Sequence, residues 1–171
     1  MSIVIIGMPA SGKTTVGAAV AERLDLRQID TDTLVEAKTG LLIREIFATQ
    51  GEQRFRELEA AATEEALRGP GPAVVTLGGG AIMTPRVREL IAPHDVVWLD
   101  VSVRVLTRRA GMTQVRPLLL GDVRRQLETL AGARRPLYRA AADLRIDADH
   151  TSVSATADII CTFWKERHRE R

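Results

Sequence analysis

Eight consecutive residues, Gly7-Met8-Pro9-Ala10-Ser11-Gly12-Lys13-Thr14, complete the pattern G-x-x-x-x-G-K-[ST] and constrain the chain more than any other feature. Their flanks supply the context the pattern needs. Ile3-Val4-Ile5-Ile6 is a continuous β-branched run, which predicts a strand buried on both faces of a parallel sheet. Val16, Val20 and Leu24 recur every four residues, which predicts a helix with one face packed on that sheet. A loop so placed turns backbone N–H groups toward phosphate at the positive end of the helix. Lys13 can reach the β- and γ-phosphates, and the Thr14 hydroxyl can ligate Mg²⁺.

The remainder alternates in the same way. A second strand is expected to end near Ile29-Asp30, followed by two helices that close at Gly40 and Gly51, where glycine can take the left-handed cap conformation. Glu52 to Arg68 predicts a longer helix, with Phe55, Leu58, Ala62 and Ala66 at helical spacing and Gly69 as its stop. After Pro70-Gly71-Pro72, the apolar run from Ala73 to Leu77 predicts a strand that leads directly into Gly78-Gly79-Gly80, a second phosphate-sized turn. Thr84-Pro85 is a helix-start signature, Val96 to Leu99 a further strand, and Ser102 a helix cap. Leu144 to Asp147 and the stripe Val153, Ala157, Ile160, Cys161 and Trp164 complete the series with a strand and a helix. Such alternation implies a doubly wound α/β fold with a mostly parallel sheet and ligands at the carboxyl ends of its strands.

Size and charge narrow the function. The 171 residues, 45% of them hydrophobic, suit a single domain over 1–171 with a sizeable core. The 24 basic residues are nearly matched by 22 acidic ones, so the total charge points to neither nucleic acid nor a membrane surface. Cys161 has no second cysteine to pair with, and the first apolar run is too short for a leader or a spanning helix; a cytoplasmic setting and a buried structural thiol are expected. The basic residues are nonetheless clustered. From Ser102 to Arg139 nine arginines face only Asp122 and Glu128, a balance that suits polyphosphate and would equally suit a solvated basic helix.

Asp30-Thr31-Asp32 stands at the expected end of the second strand, facing the same crevice as the phosphate loop. One carboxylate can hold a water on Mg²⁺ while the other orients or takes the proton of an acceptor hydroxyl; the pair would also serve as a helix cap. Arg56 and Glu59, three apart on a helix, can pair either as a surface contact or so that Glu59 holds the guanidinium for a ligand. Gly111 and Gly121 flank Arg116-Pro117-Leu118-Leu119-Leu120, which suggests a mobile lid over about 111–125 that closes on a nucleotide.

Taken in order, the phosphate loop, Asp30-Thr31-Asp32, Phe47, the run Gly51-Glu52-Gln53-Arg54-Phe55-Arg56-Glu57-Leu58-Glu59, Leu77-Gly78-Gly79-Gly80, Arg116-Pro117-Leu118-Leu119 and Arg134-Arg135-Pro136-Leu137-Tyr138 resemble the shikimate kinase family over nearly the whole chain. The F-R-x-x-E and R-x-P-L-Y segments are particular to that family. The resemblance implies a three-layer P-loop NTPase fold of the nucleoside monophosphate kinase type, with substrate-binding helices over about 32–68 and a mobile lid. It implies an ATP-dependent enzyme that phosphorylates the 3-hydroxyl of shikimate, with Mg²⁺ as cofactor, acting as a monomer.

It further implies that Lys13, Asp32 and Arg116 are catalytic. Ala10, Ser11, Gly12, Lys13, Thr14, Thr15, Arg109 and Arg116 would bind the nucleotide, Arg109 by stacking on adenine. Asp32, Arg56, Gly78, Gly79, Gly80 and Arg134 would bind shikimate, and Thr14 would hold the metal directly with Asp30 acting through water. The residue types suit these roles: two guanidinium forks match a carboxylate, Asp32 can accept from ring hydroxyls, and Gly79 lets backbone N–H approach closely. Phe47 and Phe55 stand where the family lines its acceptor pocket, and would equally be plain core. Two positions depart from the family pattern. Leu77 stands where threonine or serine is usual, with Thr76 beside it, and Ala148-Asp149-His150-Thr151 lacks the proline of the family's adenine-contacting loop. Rival readings are a P-loop kinase of another small hydroxy acid such as gluconate, a nucleotide kinase, or a nucleotide-sensing module without turnover.

Overall fold

The computed structural model describes residues 1–113 and 120–169, with side chains left aside over 111–121. Arg116 therefore lies outside the described residues. Five parallel strands form the sheet: β1 (Ile3–Ile6), β2 (Arg27–Asp30), β3 (Ala73–Thr76), β4 (Asp95–Asp100) and β5 (Leu144–Asp147), in the order β2-β3-β1-β4-β5. Because β1 lies between β3 and β4, the chain leaves it toward one edge and later returns to the other. A crevice opens at the carboxyl ends where the winding reverses, and the phosphate loop leaves β1 into it.

Among the described residues seven α-helices surround the sheet: α1 (Lys13–Leu24), α2 (Thr31–Thr39), α3 (Ile43–Arg68), α4 (Pro85–Ile91), α5 (Val103–Thr113), α6 (Leu120–Ala141) and α7 (Val153–Arg167). The register Ile3↔Val74, Ile3↔Asp95 and Asp30↔Thr76 brings the ends of β1, β2 and β3 level. β1, β3 and β4 are buried along their full lengths between two helical layers, with Thr76 at the end of β3 and Asp95 and Asp100 at the ends of β4 as their buried polar residues. A smaller apolar cluster, Val35, Ile46, Phe55 and Ala62, joins α2 to α3 away from the sheet. Among the described residues no helix is long and apolar enough to cross a membrane.

The doubly wound fold is the one expected, and most boundaries agree with the sequence. Gly40 ends α2 in the left-handed conformation, Ser102 Oγ accepts from Val105 N at the start of α5, and Cys161 is buried. Gly51 differs. It takes φ 83° and ψ 169°, yet Ile43–Arg68 continues through it as one element with a kink, so the expected stop is a bend. Gly69 does end α3, in extended rather than left-handed backbone. The segment proposed as a lid begins in the last turn of α5 and runs into α6, a 22-residue helix that carries Pro136 in its interior.

Candidate active site

The phosphate loop folds tightly over the top of β1. A Cβ on Gly7 would stand 2.7 Å from the Leu99 carbonyl, so the loop presses on β4 at a distance only glycine permits. Gly12 caps α1 without a side-chain hydrogen bond, leaving the positive end of that helix to backbone donors alone. Lys13 Nζ donates to Gly7 O at 2.9 Å and Met8 O at 2.8 Å, which holds the ammonium over the loop. Burial pulls its pKa down to about 8, against the attraction of Asp32 and Asp30 and with the help of Arg134. All three residues therefore act on the same small volume as Lys13.

Asp30 joins three elements with one carboxylate. Its Oδ1 accepts from the N–H groups of Asp32 and Thr33 and so caps α2, while Oδ2 accepts from Thr14 Oγ1 at 3.0 Å and Thr76 Oγ1 at 2.9 Å. The helix-cap alternative for this residue thus holds through Oδ1, and Oδ2 is turned to the two hydroxyls. Thr76 was legible only as a hydroxyl next to Leu77; the β2–β3 register turns it onto Asp30, while Leu77 goes into the core. Thr14 and Asp30 are hard oxygen donors within reach of the phosphate loop, a set that suits Mg²⁺ held mainly by phosphate oxygens and water.

Asp32, two residues on, is half-buried at the start of α2. It faces Glu59, which is 0% exposed on α3. Glu59 Oε2 accepts from Arg56 Nη1 at 2.7 Å; its Oε1 and Asp32 Oδ1 are both buried without a hydrogen-bond partner among the described residues. Both lone oxygens converge on Gly78, where a Cβ would lie 2.6 Å from Glu59 Oε1 and 2.8 Å from Asp32 Oδ1. Burial is the main cause that raises the pKa of each carboxyl, Glu59 to about 7, and Asp30 adds to the effect on Asp32. The Arg56 guanidinium, 19% exposed, lies over Phe55 at 5.2 Å and directly against Gly80. Arg56 and Glu59 are therefore no surface pair: one partner is sealed and the other is held at the rim of the glycine turn.

Phe55 proves to be core, 4% exposed, and Phe47 packs against it at 4.7 Å with 38% of its surface open. Across the crevice, α6 brings Arg134 close enough to act electrostatically on Lys13, Glu59 and Tyr138. Tyr138 Oη donates to Gly79 O at 2.5 Å. In the sequence this tyrosine is only the last letter of the R-x-P-L-Y segment, because its role depends on the fold laying α6 against the glycine turn.

Arg109 and the remaining residues expected at the nucleotide gather apart from these. Arg109 Nη1 donates to Ala10 O at 2.9 Å, and Arg109, Ser11, Gly12, Thr15, Ala148 and Thr151 help line an open cleft of about 280 Å³ beside the loop. The segment that lacks the family's proline nonetheless borders this cleft through Ala148 and Thr151.

Comparison with known proteins identifies the family. The shikimate kinase family model matches residues 9–165. The chain is 45% identical over 150 residues to the shikimate kinase of Rhodococcus erythropolis, covering 87% of this chain and 88% of that one. It is 43% identical over 158 residues to that of Mycobacterium avium, covering 92% and 89%. The structure of shikimate kinase from Acinetobacter baumannii in complex with shikimate superposes with a TM-score of 0.87 at 32% identity, covering 97% of this chain and 93% of that one. With the phosphate loop, the acidic pair, the buried Arg56–Glu59 pair and the glycine turn assembled around one crevice, the chain belongs to the shikimate kinase family.

Proposed function

We propose that this protein transfers the γ-phosphoryl group of ATP to the 3-hydroxyl of shikimate, giving shikimate 3-phosphate and ADP, a step of chorismate and aromatic amino-acid biosynthesis. The observation that carries the reading is the pair of unpartnered carboxylate oxygens, Asp32 Oδ1 and Glu59 Oε1, buried beside Arg56 at Gly78. Acceptors left without donors in a buried site invite a hydroxyl-bearing ligand, and the guanidinium beside them matches a carboxylate on the same molecule.

In this reading Arg56 and Arg134 hold the substrate carboxylate from opposite walls, α3 and α6, and Gly79 contributes backbone N–H. Asp32 accepts the hydroxyl proton as the oxygen–phosphorus bond forms and the bond to the β-phosphate oxygen breaks. Its raised proton affinity favours that role. Lys13 and the donors at the start of α1 take up charge on the transferring group, and Arg116 approaches it from the lid. Thr14 directly, and Asp30 through water, would hold Mg²⁺, which neutralises phosphate charge. Arg109 covers the adenine. Lid closure keeps water from competing with the hydroxyl. The enzyme acts in the cytoplasm as a monomer.

The test is a coupled ADP-release assay with Mg-ATP and shikimate, run beside quinate, gluconate and no acceptor, with Asp32→Asn as control. Release that depends on shikimate and falls by about 10²-fold or more in the variant supports the reading. Release with gluconate alone, or with no acceptor at all, removes it.

A further inference from the structure

We propose that Tyr138 is a positioning residue for the acceptor site: its hydroxyl ties the Gly78–Gly80 turn to the helix that carries Arg134, fixing the backbone donors and the guanidinium relative to each other. The inference rests on the acceptor reading above. It starts from a hydrogen bond between segments 59 residues apart, Tyr138 Oη to Gly79 O at 2.5 Å. The Gly79–Gly80 peptide is trans, so a carbonyl held toward α6 turns the Gly80 N–H the opposite way. The preceding carbonyl, Gly78 O, accepts from Ala81 N at 3.1 Å, which fixes the Gly79 N–H in the same manner. Three glycines in a row have little intrinsic preference for one conformation, so these two contacts, with Met83 N donating to Gly80 O at 3.0 Å, choose it.

Tyr138 is equipped for this task by its surroundings. It is 1% exposed, and its ring stacks on Trp98 with centroids 5.8 Å apart. Trp98 is in turn covered by the guanidinium groups of Arg135 at 5.5 Å and Arg145 at 5.1 Å, both of which pair with Asp100. The ring therefore has a rigid backing on β4, and the hydroxyl is the only polar atom it presents. Arg134 lies one helical turn before Tyr138, on the same face of α6, and its charge acts on the phenol. One side chain thus touches the glycine turn and neighbours the arginine, and a shift of either would be felt by both.

Wild type and Tyr138→Phe are to be compared in the ADP-release assay, titrated separately with shikimate and with Mg-ATP, with thermal midpoints measured alongside. The phenylalanine keeps the stacking and removes the hydrogen bond. The expected result is a folded protein whose KM for shikimate rises roughly tenfold while its KM for ATP stays within about twofold. In an Arg134→Ala background, Tyr138→Phe should add much less than it does alone, since both act on one ligand group. Equal rises in both KM values, an unchanged KM for shikimate, full additivity with Arg134→Ala, or a variant that no longer folds would each overturn the inference and leave Tyr138 a core residue. A wild type that turns over without shikimate would instead overturn the acceptor reading itself.

Discussion

Glu59 holds Arg56 through one carboxylate oxygen at 2.7 Å and turns the other, without a partner among the described residues, toward Asp32 across Gly78. A fully buried carboxylate so placed is a positioning group whose protonation affects both neighbours.

That burial gives the first prediction. Glu59 has a pKa raised from 4.5 to about 7, so between those values the native state carries more protons than the unfolded chain. Stability contributed at this position is present below about pH 4.5 and is lost as pH rises through about 7. Glu59→Gln has no proton to lose. Its thermal midpoint relative to wild type should therefore climb between pH 5 and pH 7.5, roughly the titration window; a difference that stays flat would show that the carboxyl titrates normally.

The glycine turn gives the second. A Cβ on Gly80 would stand 2.2 Å from Arg56 Nη2, the movable end of a long side chain, whereas one on Gly79 would stand 2.6 Å from the Pro9 ring. Gly80→Ala should fold with a loss of stability smaller than that of Gly79→Ala, since the guanidinium can shift at the rim while still facing Glu59, and show a KM for shikimate raised about tenfold. Gly79→Ala should instead lose about 1–3 kcal/mol of stability, because the proline ring has no room to move. Denaturant titration beside steady-state kinetics separates the two; equal losses of stability would contradict the contrast.

Lys13 sets an alkaline limit. Burial lowers its pKa to about 8, so the free enzyme loses the ammonium above that pH. The value of kcat/KM for ATP should fall on the alkaline side with an apparent pKa near 8, while kcat at saturating ATP holds to higher pH because bound phosphate favours the charged form. Identical profiles for the two parameters would place the limiting group elsewhere.

Thr76 offers a test of the metal side. Its hydroxyl donates to Asp30 Oδ2 at 2.9 Å, the same oxygen that faces Thr14. Thr76→Val keeps the shape and leaves that oxygen freer to turn. The Mg²⁺ concentration needed for half-maximal rate should rise several-fold, by about one hydrogen bond's worth, with little change in the KM for shikimate. A variant with unaltered Mg²⁺ dependence would separate Asp30 from the metal.

The strand–loop–helix unit, the doubly wound class and most of the residues around the crevice are legible in the order of the amino acids alone. Those signals are local: parallel strands buried on both faces carry an apolar run through their middle, a phosphate loop needs its glycines and lysine at fixed spacing, and both properties survive in one dimension. The remaining features depend on segments far apart in the chain. Whether Gly51 stops a helix or bends it is settled by Ile46 and Phe55, which lie on either side of it and share one small core. Whether Arg56–Glu59 is a solvated pair or a sealed one is settled by what covers α3. Thr76 reaches Asp30 because β2 and β3 pair in register, and Tyr138 reaches Gly79 because α6 packs beside β4. Hydrogen bonds of this kind have no sequence period, since their partners are brought together by burial of the apolar surfaces around them.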